Sequence, residues 1–267
     1  MQVVGATPIG HPVPDSKLFE NLGSGIRAFL EEPKTMRTRI LPLWLVLASA
    51  LYIFTAWAGT TAEAKSIDPA LLAKAQAGDA AAQNQLGNAY NYGRHGAKQD
   101  YAQALIWYRK GAEQGNADAE FQLGGLYHFG HGVPQDDVQG FSWIMKAAEQ
   151  GDGDARFFIS ACYSEGWGVA RDDRQATFWL LKAAVRGHTD SEHYLGRAYE
   201  RGIGVRQNYQ QAYFWLDLAS LGDVTSKMRK EIVKERDQAA SHLAPVDVAY
   251  AQDAVQRWLE NHPAESQ

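Results

Sequence analysis

From residue 65 onward, apolar and polar residues follow the spacing of amphipathic helices. In the stretch "DAEFQLGGLYHFG", apolar side chains recur at positions i, i+4, i+7 and i+8, which is one face of a helix. Gly130 favours the end of this helix, because glycine readily adopts the left-handed backbone of a helix C-terminus. The residues of the apolar face are Ala119, Leu123, Leu126 and Tyr127.

A turn and a second helix follow directly. Pro134 cannot continue the first helix, and Asp136 is well suited to cap the next one. A stripe of small and aromatic residues around Trp143 predicts a helix that ends at Gly151. The glycines of the turn are interpreted as helix stops and turn formers. The unit is therefore a helix–turn–helix.

This unit recurs about every 36 residues, so the chain is interpreted as an array of repeats. Two short helices cannot bury an apolar face alone, and stacked units would share one continuous core. The predicted fold class is all-α, an α/α superhelix or solenoid, in which the tryptophans are packing residues. The predicted structural core consists of Trp107, Trp143, Trp179, Trp215, Tyr90, Tyr127, Tyr163 and Tyr199.

The repeat resembles the Sel1-like repeat family, a relative of the tetratricopeptide repeats. The resemblance is carried by "LGGLYHFGHGVPQDDVQGFSWIMKAAEQGDGDA" and "LGRAYERGIGVRQNYQQAYFWLDLASLGD", and it covers roughly Asp68 to Asp223. A length of 36 with a G-x-G turn favours this family over tetratricopeptide units of about 34 residues. The resemblance implies a helical-pair solenoid that binds other proteins, with the first helices on its concave side.

The two ends of the array are predicted to be caps. Residues 65–223 form the solenoid in this interpretation, with an N-terminal capping helix in "DPALLAKAQAGD" that echoes the second helix of a repeat. Residues 224–267 are predicted to form two C-terminal capping helices, separated near Pro245.

The segment before the repeats has the features of an export signal. Residues 40–59 carry no charge, basic residues precede them, and "AEA" at 62–64 is a small-x-small cleavage motif. We therefore predict a signal peptide over 36–64, cleaved near Ala64, with the solenoid in the periplasm or secreted. Because the apolar run is long, the alternative is an uncleaved anchor in the inner membrane, with residues 40–59 as the only membrane contact.

Residues 1–35 fit neither alternative. A signal sequence is expected to begin close to its basic segment, and Met36 does so whereas Met1 does not. The hypothesis is that Met36 is the true start and that residues 1–35 are a mis-assigned start. If residues 1–35 are translated, they are predicted to be mostly disordered.

Composition and chemistry narrow the function. The net charge of −5 argues against a nucleic-acid partner, which usually requires a basic face. We find no catalytic constellation and expect no cofactor. Cys162 lies on an apolar helix face and is predicted to be an inert buried thiol. His128 and His131 flank a helix end without a third ligand, so no metal site is predicted.

A stripe that differs between copies is the candidate binding surface. On each first helix, three residues at i, i+4 and i+7 share one face, and stacking would align the trios into a peptide-binding groove. Phe121 and Phe157 suggest adjacent exposed aromatics, although they could also pack on each other or be unconstrained surface residues. The trios are Asn84, Asn88 and Asn91; Phe121, Gly125 and His128; Phe157, Ala161 and Ser164; His193, Arg197 and Glu200.

These features predict an exported adaptor or assembly factor of a bacterial cell envelope, with a protein or peptide partner of unknown identity. One alternative is an enzyme acting on cell-wall or polysaccharide material, which would need two carboxylates converging in a deep pocket. The other is a secreted effector directed at a host.

Overall fold

The computed structural model describes residues 67–262, which form eleven α-helices and no strand. This arrangement confirms the predicted all-helical solenoid. The helices are α1 Pro69–Gln76, α2 Ala80–Tyr92, α3 Tyr101–Ala112, α4 Ala117–Phe129, α5 Asp137–Gln150, α6 Gly153–Glu165, α7 Asp173–Ala184, α8 Thr189–Arg201, α9 Tyr209–Leu221, α10 Ser226–Ala240 and α11 Pro245–Asn261.

Four helical pairs, α2–α3 to α8–α9, repeat the same local structure. Each second helix starts at an Asp or Asn whose side chain accepts a backbone N–H of the first turn; Asp136, for example, accepts from Gln139 at 3.0 Å. Each first helix ends at a glycine in the left-handed conformation, such as Gly130 with φ 69°. Side-chain caps and glycines therefore fix both helix bounds in every repeat.

The tryptophans of the second helices lie in the seams between repeats. Trp179 packs in the core that α5 and α6 share, beside Ile144 and Ile159. Trp107 and Trp215 are also buried, while Trp143 is half-buried with the ammonium of Lys146 3.7 Å from its ring centroid. The tyrosine column is less uniform, because only Tyr127 is buried and Tyr90, Tyr163 and Tyr199 are half-buried.

The second glycine of each G-x-G turn has a role that the sequence analysis did not predict. A Cβ on Gly168 would lie 2.0 Å from the carbonyl oxygen of Asp137, at the start of the previous second helix. A Cβ on Gly204 would lie 1.9 Å from the carbonyl oxygen of Asp173, and Gly132 meets the Tyr101 backbone in the same way. These glycines allow the turn of one repeat to touch the main chain of the repeat before it.

The ends of the array carry one additional helix and one additional pair. Helix α1 packs against α2 and supplies the buried Ala75. Helix α10 continues the register of the first helices, since the fully buried Ile232 occupies the position of Leu195 in α8. Helices α10 and α11 both pack against α9 rather than against each other. The two C-terminal helices therefore do not pack against each other, whereas the two helices of each preceding pair do.

The predicted export signal, including residues 40–59 and the cleavage site near Ala64, lies outside the described residues, as do residues 1–35. Within residues 67–262, no helix combines the length and the apolar character needed to cross a lipid bilayer.

Candidate functional site

A pocket of about 320 Å³ opens among the first helices α2, α4 and α6. One wall is a stack of rings from the ends of three elements. Tyr101 stacks on His131 at a centroid distance of 4.5 Å, and His131 stacks on Phe129 at 5.8 Å. The interplanar angles of 20° and 29° show that the ring planes are nearly parallel, so the rings stack face to face. Phe129 remains 60% exposed, so its ring is available to a partner.

The lining also includes an aromatic pair and three amide side chains. Phe121 and Phe158 meet edge to face at 6.2 Å. Asn91, Gln99 and Gln122 line the same pocket. The Gln99 amide nitrogen donates to the Asn91 carbonyl and to the Tyr101 hydroxyl, both at 2.9 Å. The pocket combines flat apolar faces with groups that can donate and accept hydrogen bonds.

Three residues of the predicted groove line this pocket: Asn91, Phe121 and Gly125. A Cβ added to Gly125 would meet no atom within 4 Å, so the pocket floor is open at that point. The structure thus brings together parts of the first two trios, whereas the other trios lie elsewhere on the first helices.

Phe121 and Phe157 do not pack on each other, which was one of the alternatives for this aromatic pair. Phe121 packs against Phe158, while Phe157 faces the next repeat and lies 5.3 Å from the Tyr194 ring and 5.6 Å from the His188 ring. Neighbouring residues on a helix point about 100° apart, so Phe157 and Phe158 serve different seams. The aromatic faces therefore belong to two separate contacts.

Asn84 and His193 were predicted to lie on the groove surface, and the structure corrects both. They are 7% and 5% exposed, respectively. His193 Nε2 lies 2.6 Å from Glu235 Oε2 on α10, so the capping helix covers this end of the face. The Asn84 side-chain oxygen is buried without a hydrogen bond in the described part of the chain. Neither side chain is accessible to a partner.

The remaining predicted residues are half-buried. The Asn88 side-chain oxygen accepts a hydrogen bond from the Tyr108 hydroxyl at 2.7 Å. Arg197 Nε lies 3.7 Å from Glu235 Oε1, beside His193. Ser164 and Glu200 occupy the equivalent position on α6 and α8, away from the aromatic pocket.

His128 contacts residues of its own repeat and of the following one. Its Nδ1 lies 2.8 Å from Asp137 Oδ1, and its ring contacts Phe158 and Trp167 of the following repeat at 5.2 and 4.8 Å. His131 does not join it, because its ring belongs to the stack beside Tyr101. Across residues 67–262, no three His, Cys, Asp or Glu side chains form a group that could hold a metal ion.

A second cavity, of about 840 Å³, lies where the turn between α8 and α9 meets the start of α11. Its lining includes Arg206 and Asp247, and one of its aromatic residues, Tyr209, is stacked on His242 at 4.2 Å. This cavity is larger but offers fewer free aromatic faces, so the pocket among α2, α4 and α6 is the stronger binding candidate.

Comparison with known proteins defines the family. The sequence profile of the Sel1 repeat matches residues 80–116, 117–152, 153–188 and 189–223, which is more than half of the chain. The chain belongs to the Sel1 repeat family. Sel1 repeat proteins are in general protein–protein interaction modules, and their solenoid is typically a non-catalytic scaffold.

Solved Sel1 repeat structures resemble this chain. A Sel1 repeat protein from Oxalobacter formigenes shares 34% identity with a TM-score of 0.56, over 62% of this chain and 47% of its own length. The protective antigen c5321 of uropathogenic Escherichia coli strains shares 31% identity with a TM-score of 0.45, over 73% of this chain and 48% of its own. The chain thus spans about half the length of these proteins. No curated protein is similar enough to count as a relative.

The Sel1 repeat boundaries show which site residues the sequence analysis missed. Phe158 and Gln122 occupy the sixth position of their repeats, one residue after the predicted trios begin. Phe129 ends α4, and His131 lies in the turn. The signal was present, since the sixth position also varies between copies, from Gln85 to Tyr194. The sixth position faces the pocket because neighbouring first helices are shifted along their axes relative to each other, and the sequence does not show that shift.

The fourth position of three of the four Sel1 repeats carries a buried polar side chain, which is Gln83, Glu120 or Glu192. In the first two of these, the partner comes from the end of the same repeat, and Gln83 accepts a hydrogen bond from Gln114 at 2.7 Å. Glu120 accepts a hydrogen bond from Gln150 at 2.6 Å. In the last repeat Gly222 stands where Gln150 would be, so Glu192 is buried with no hydrogen bond or ion pair among the described side chains. Burial raises the pKa of Glu192 to about 7.

The single thiol lies on the apolar side of a first helix. Cys162 is buried, and burial together with the nearby Asp137 raises the pKa of its thiol to about 12. A thiolate is therefore scarce at neutral pH, as expected for a structural cysteine.

Proposed function

We propose that the chain is an exported adaptor or assembly factor of a bacterial cell envelope that captures an extended segment of another protein on its first helices. The observation that carries the proposal is the pocket among α2, α4 and α6. Exposed aromatic rings beside adaptable amides are typical of surfaces that bind proteins.

The proposed location rests on the sequence before the repeats. Residues 40–59, with basic residues before them and a cleavage motif after them, support export, with either release near Ala64 or retention in the inner membrane. Cell fractionation, followed by N-terminal sequencing of the mature chain, tests both outcomes. A chain found only in the culture medium would favour a secreted effector instead.

The enzyme alternative would need acidic side chains in a cleft. No Asp or Glu lines the pocket among α2, α4 and α6, whereas glycoside hydrolysis requires two carboxylates flanking the bond. The described pocket therefore supports binding rather than hydrolysis.

Site-specific photocrosslinking in intact cells tests the binding proposal. A photoreactive phenylalanine analogue at Phe129 should capture a distinct protein, and the same analogue at Phe178 is the matched control. Phe178 is 47% exposed but belongs to a second helix and does not line the pocket. Equal products at the two positions, or none at Phe129, would refute binding at this face.

A further inference from the structure

We infer that the pocket binds an uncharged, proline-containing segment of the partner in the polyproline II conformation. This inference rests on the proposed function and specifies the chemistry of the partner. It depends on three properties of the lining: its charge, its hydrogen-bonding groups and its aromatic rings.

The lining carries no fixed charge. None of its residues is Asp, Glu, Lys or Arg, and its polar groups are amides, tyrosine hydroxyls and the His131 ring. A charged anchor would lose water here without gaining a counterion, which is costly. The residues that enter the pocket are therefore uncharged.

The amides favour an extended backbone over a helix. The backbone of a helix satisfies its own hydrogen bonds, whereas a polyproline II segment has no internal ones and presents its carbonyl oxygens to the surroundings. Gln122 lines the pocket, and its side-chain amide has no hydrogen-bonding partner among the described residues. It can donate to such a carbonyl.

The aromatic residues of the lining suit flat apolar rings. Tyr101, His131 and Phe129 stack with nearly parallel ring planes, and the Phe121–Phe158 pair lines the same pocket. Aromatic-lined grooves bind proline-rich segments, because the preformed helix loses little conformational entropy on docking. A volume of about 320 Å³ accommodates a few residues, so the pocket anchors a segment whose remainder lies along the first helices.

The test is fluorescence anisotropy with the full chain and a labelled decaproline peptide. Saturable binding is expected, together with weaker binding of a Gly-Ser peptide of equal length. Phe129→Ala should weaken decaproline binding about tenfold, as for loss of one aromatic anchor. Gln122→Ala should weaken it less, and the control Phe178→Ala should leave it unchanged.

Three outcomes would overturn the inference: no saturable binding of decaproline, equal binding of the Gly-Ser peptide, or insensitivity to Phe129→Ala. Displacement of decaproline by a neutral oligosaccharide at lower concentration would also overturn it and assign the pocket to a glycan. If crosslinking at Phe129 succeeds while decaproline fails, only the partner chemistry is wrong. If both fail, the proposed function fails as well.

Discussion

Two seams between consecutive first helices use the same position in different ways. Between α4 and α6, Phe121 meets Phe158 through ring contacts beside an open pocket. Between α8 and α10, the equivalent residue is His193, which is buried against Glu235 with Arg197 nearby. The middle seam leaves aromatic faces accessible, whereas the terminal seam uses charged groups to fasten the capping helix. One repeat position can therefore either border an open pocket or close the end of the array.

The largest expected effects come from two equivalent core residues. Leu123→Ala in the middle and Ile232→Ala in α10 each remove a fully buried side chain and should cost about 2–5 kcal/mol. Because repeats contact only their neighbours, the Ile232 variant should increase amide exchange chiefly in α9 to α11. Urea unfolding and hydrogen exchange measure both effects. Identical exchange patterns would contradict the separation of middle and end.

The pH dependence of stability should distinguish the last repeat from the second. Burial raises the pKa of Glu192 from 4.5 to about 7, so the folded state binds the proton more tightly. The contribution of Glu192 to stability is therefore fully present below pH 4.5 and is lost as the pH rises through about 7. Glu192→Gln should raise the free energy of unfolding by about 3 kcal/mol above pH 7 and change little below pH 4.5.

Glu120→Gln is the matched control for that variant. Burial also raises the pKa of Glu120, but the hydrogen bond from Gln150 opposes the rise. Its gain above pH 7 should therefore be smaller. Urea titrations at several pH values compare the two variants, and an equal gain would mean that the missing partner at Gly222 is irrelevant.

A smaller effect should come from the charged contact of the cap. Glu235→Gln leaves His193 with a neutral partner and should cost about 1.5–3 kcal/mol, the range for a hydrogen bond to a charged group. Part of the wild-type contribution should disappear at high salt. Phe121→Leu in the middle seam should lose stability equally at low and high salt. A salt-independent loss for Glu235→Gln would show that dissolved ions do not screen this contact, contrary to the expectation.

The smallest expected difference concerns helix caps. Asp152 accepts the Ala155 N–H at 2.6 Å at the start of α6, whereas Thr225 accepts the Met228 N–H at 3.3 Å at the start of α10. Asp152→Ala should cost about 1 kcal/mol and Thr225→Ala about half of that. Thermal unfolding followed by circular dichroism compares them. A larger loss at Thr225 would reverse the proposed order of end and middle.

The sequence was sufficient for the helical pairs but not for the contacts between them. Trp143, Gly130 and Asp136 recur with the repeat, so packing, termination and capping could be assigned from the period alone. The site depends on how far one first helix is shifted and rotated against the next. A shift of one residue separates Phe157 from Phe158, and the period does not contain that information. For the same reason, nothing in the sequence indicated that Glu235 would cover His193.

The contact of Gly132, Gly168 and Gly204 with the preceding main chain has a consequence for how such arrays change in evolution. At these junctions the turn of one repeat meets main-chain atoms of the repeat before it, so this particular contact constrains few of the side chains that either repeat displays. If a repeat is duplicated, the copy retains the glycine that this contact requires. Repeats can then be gained or lost while the residues on the exposed surface change, because those residues do not take part in the contact.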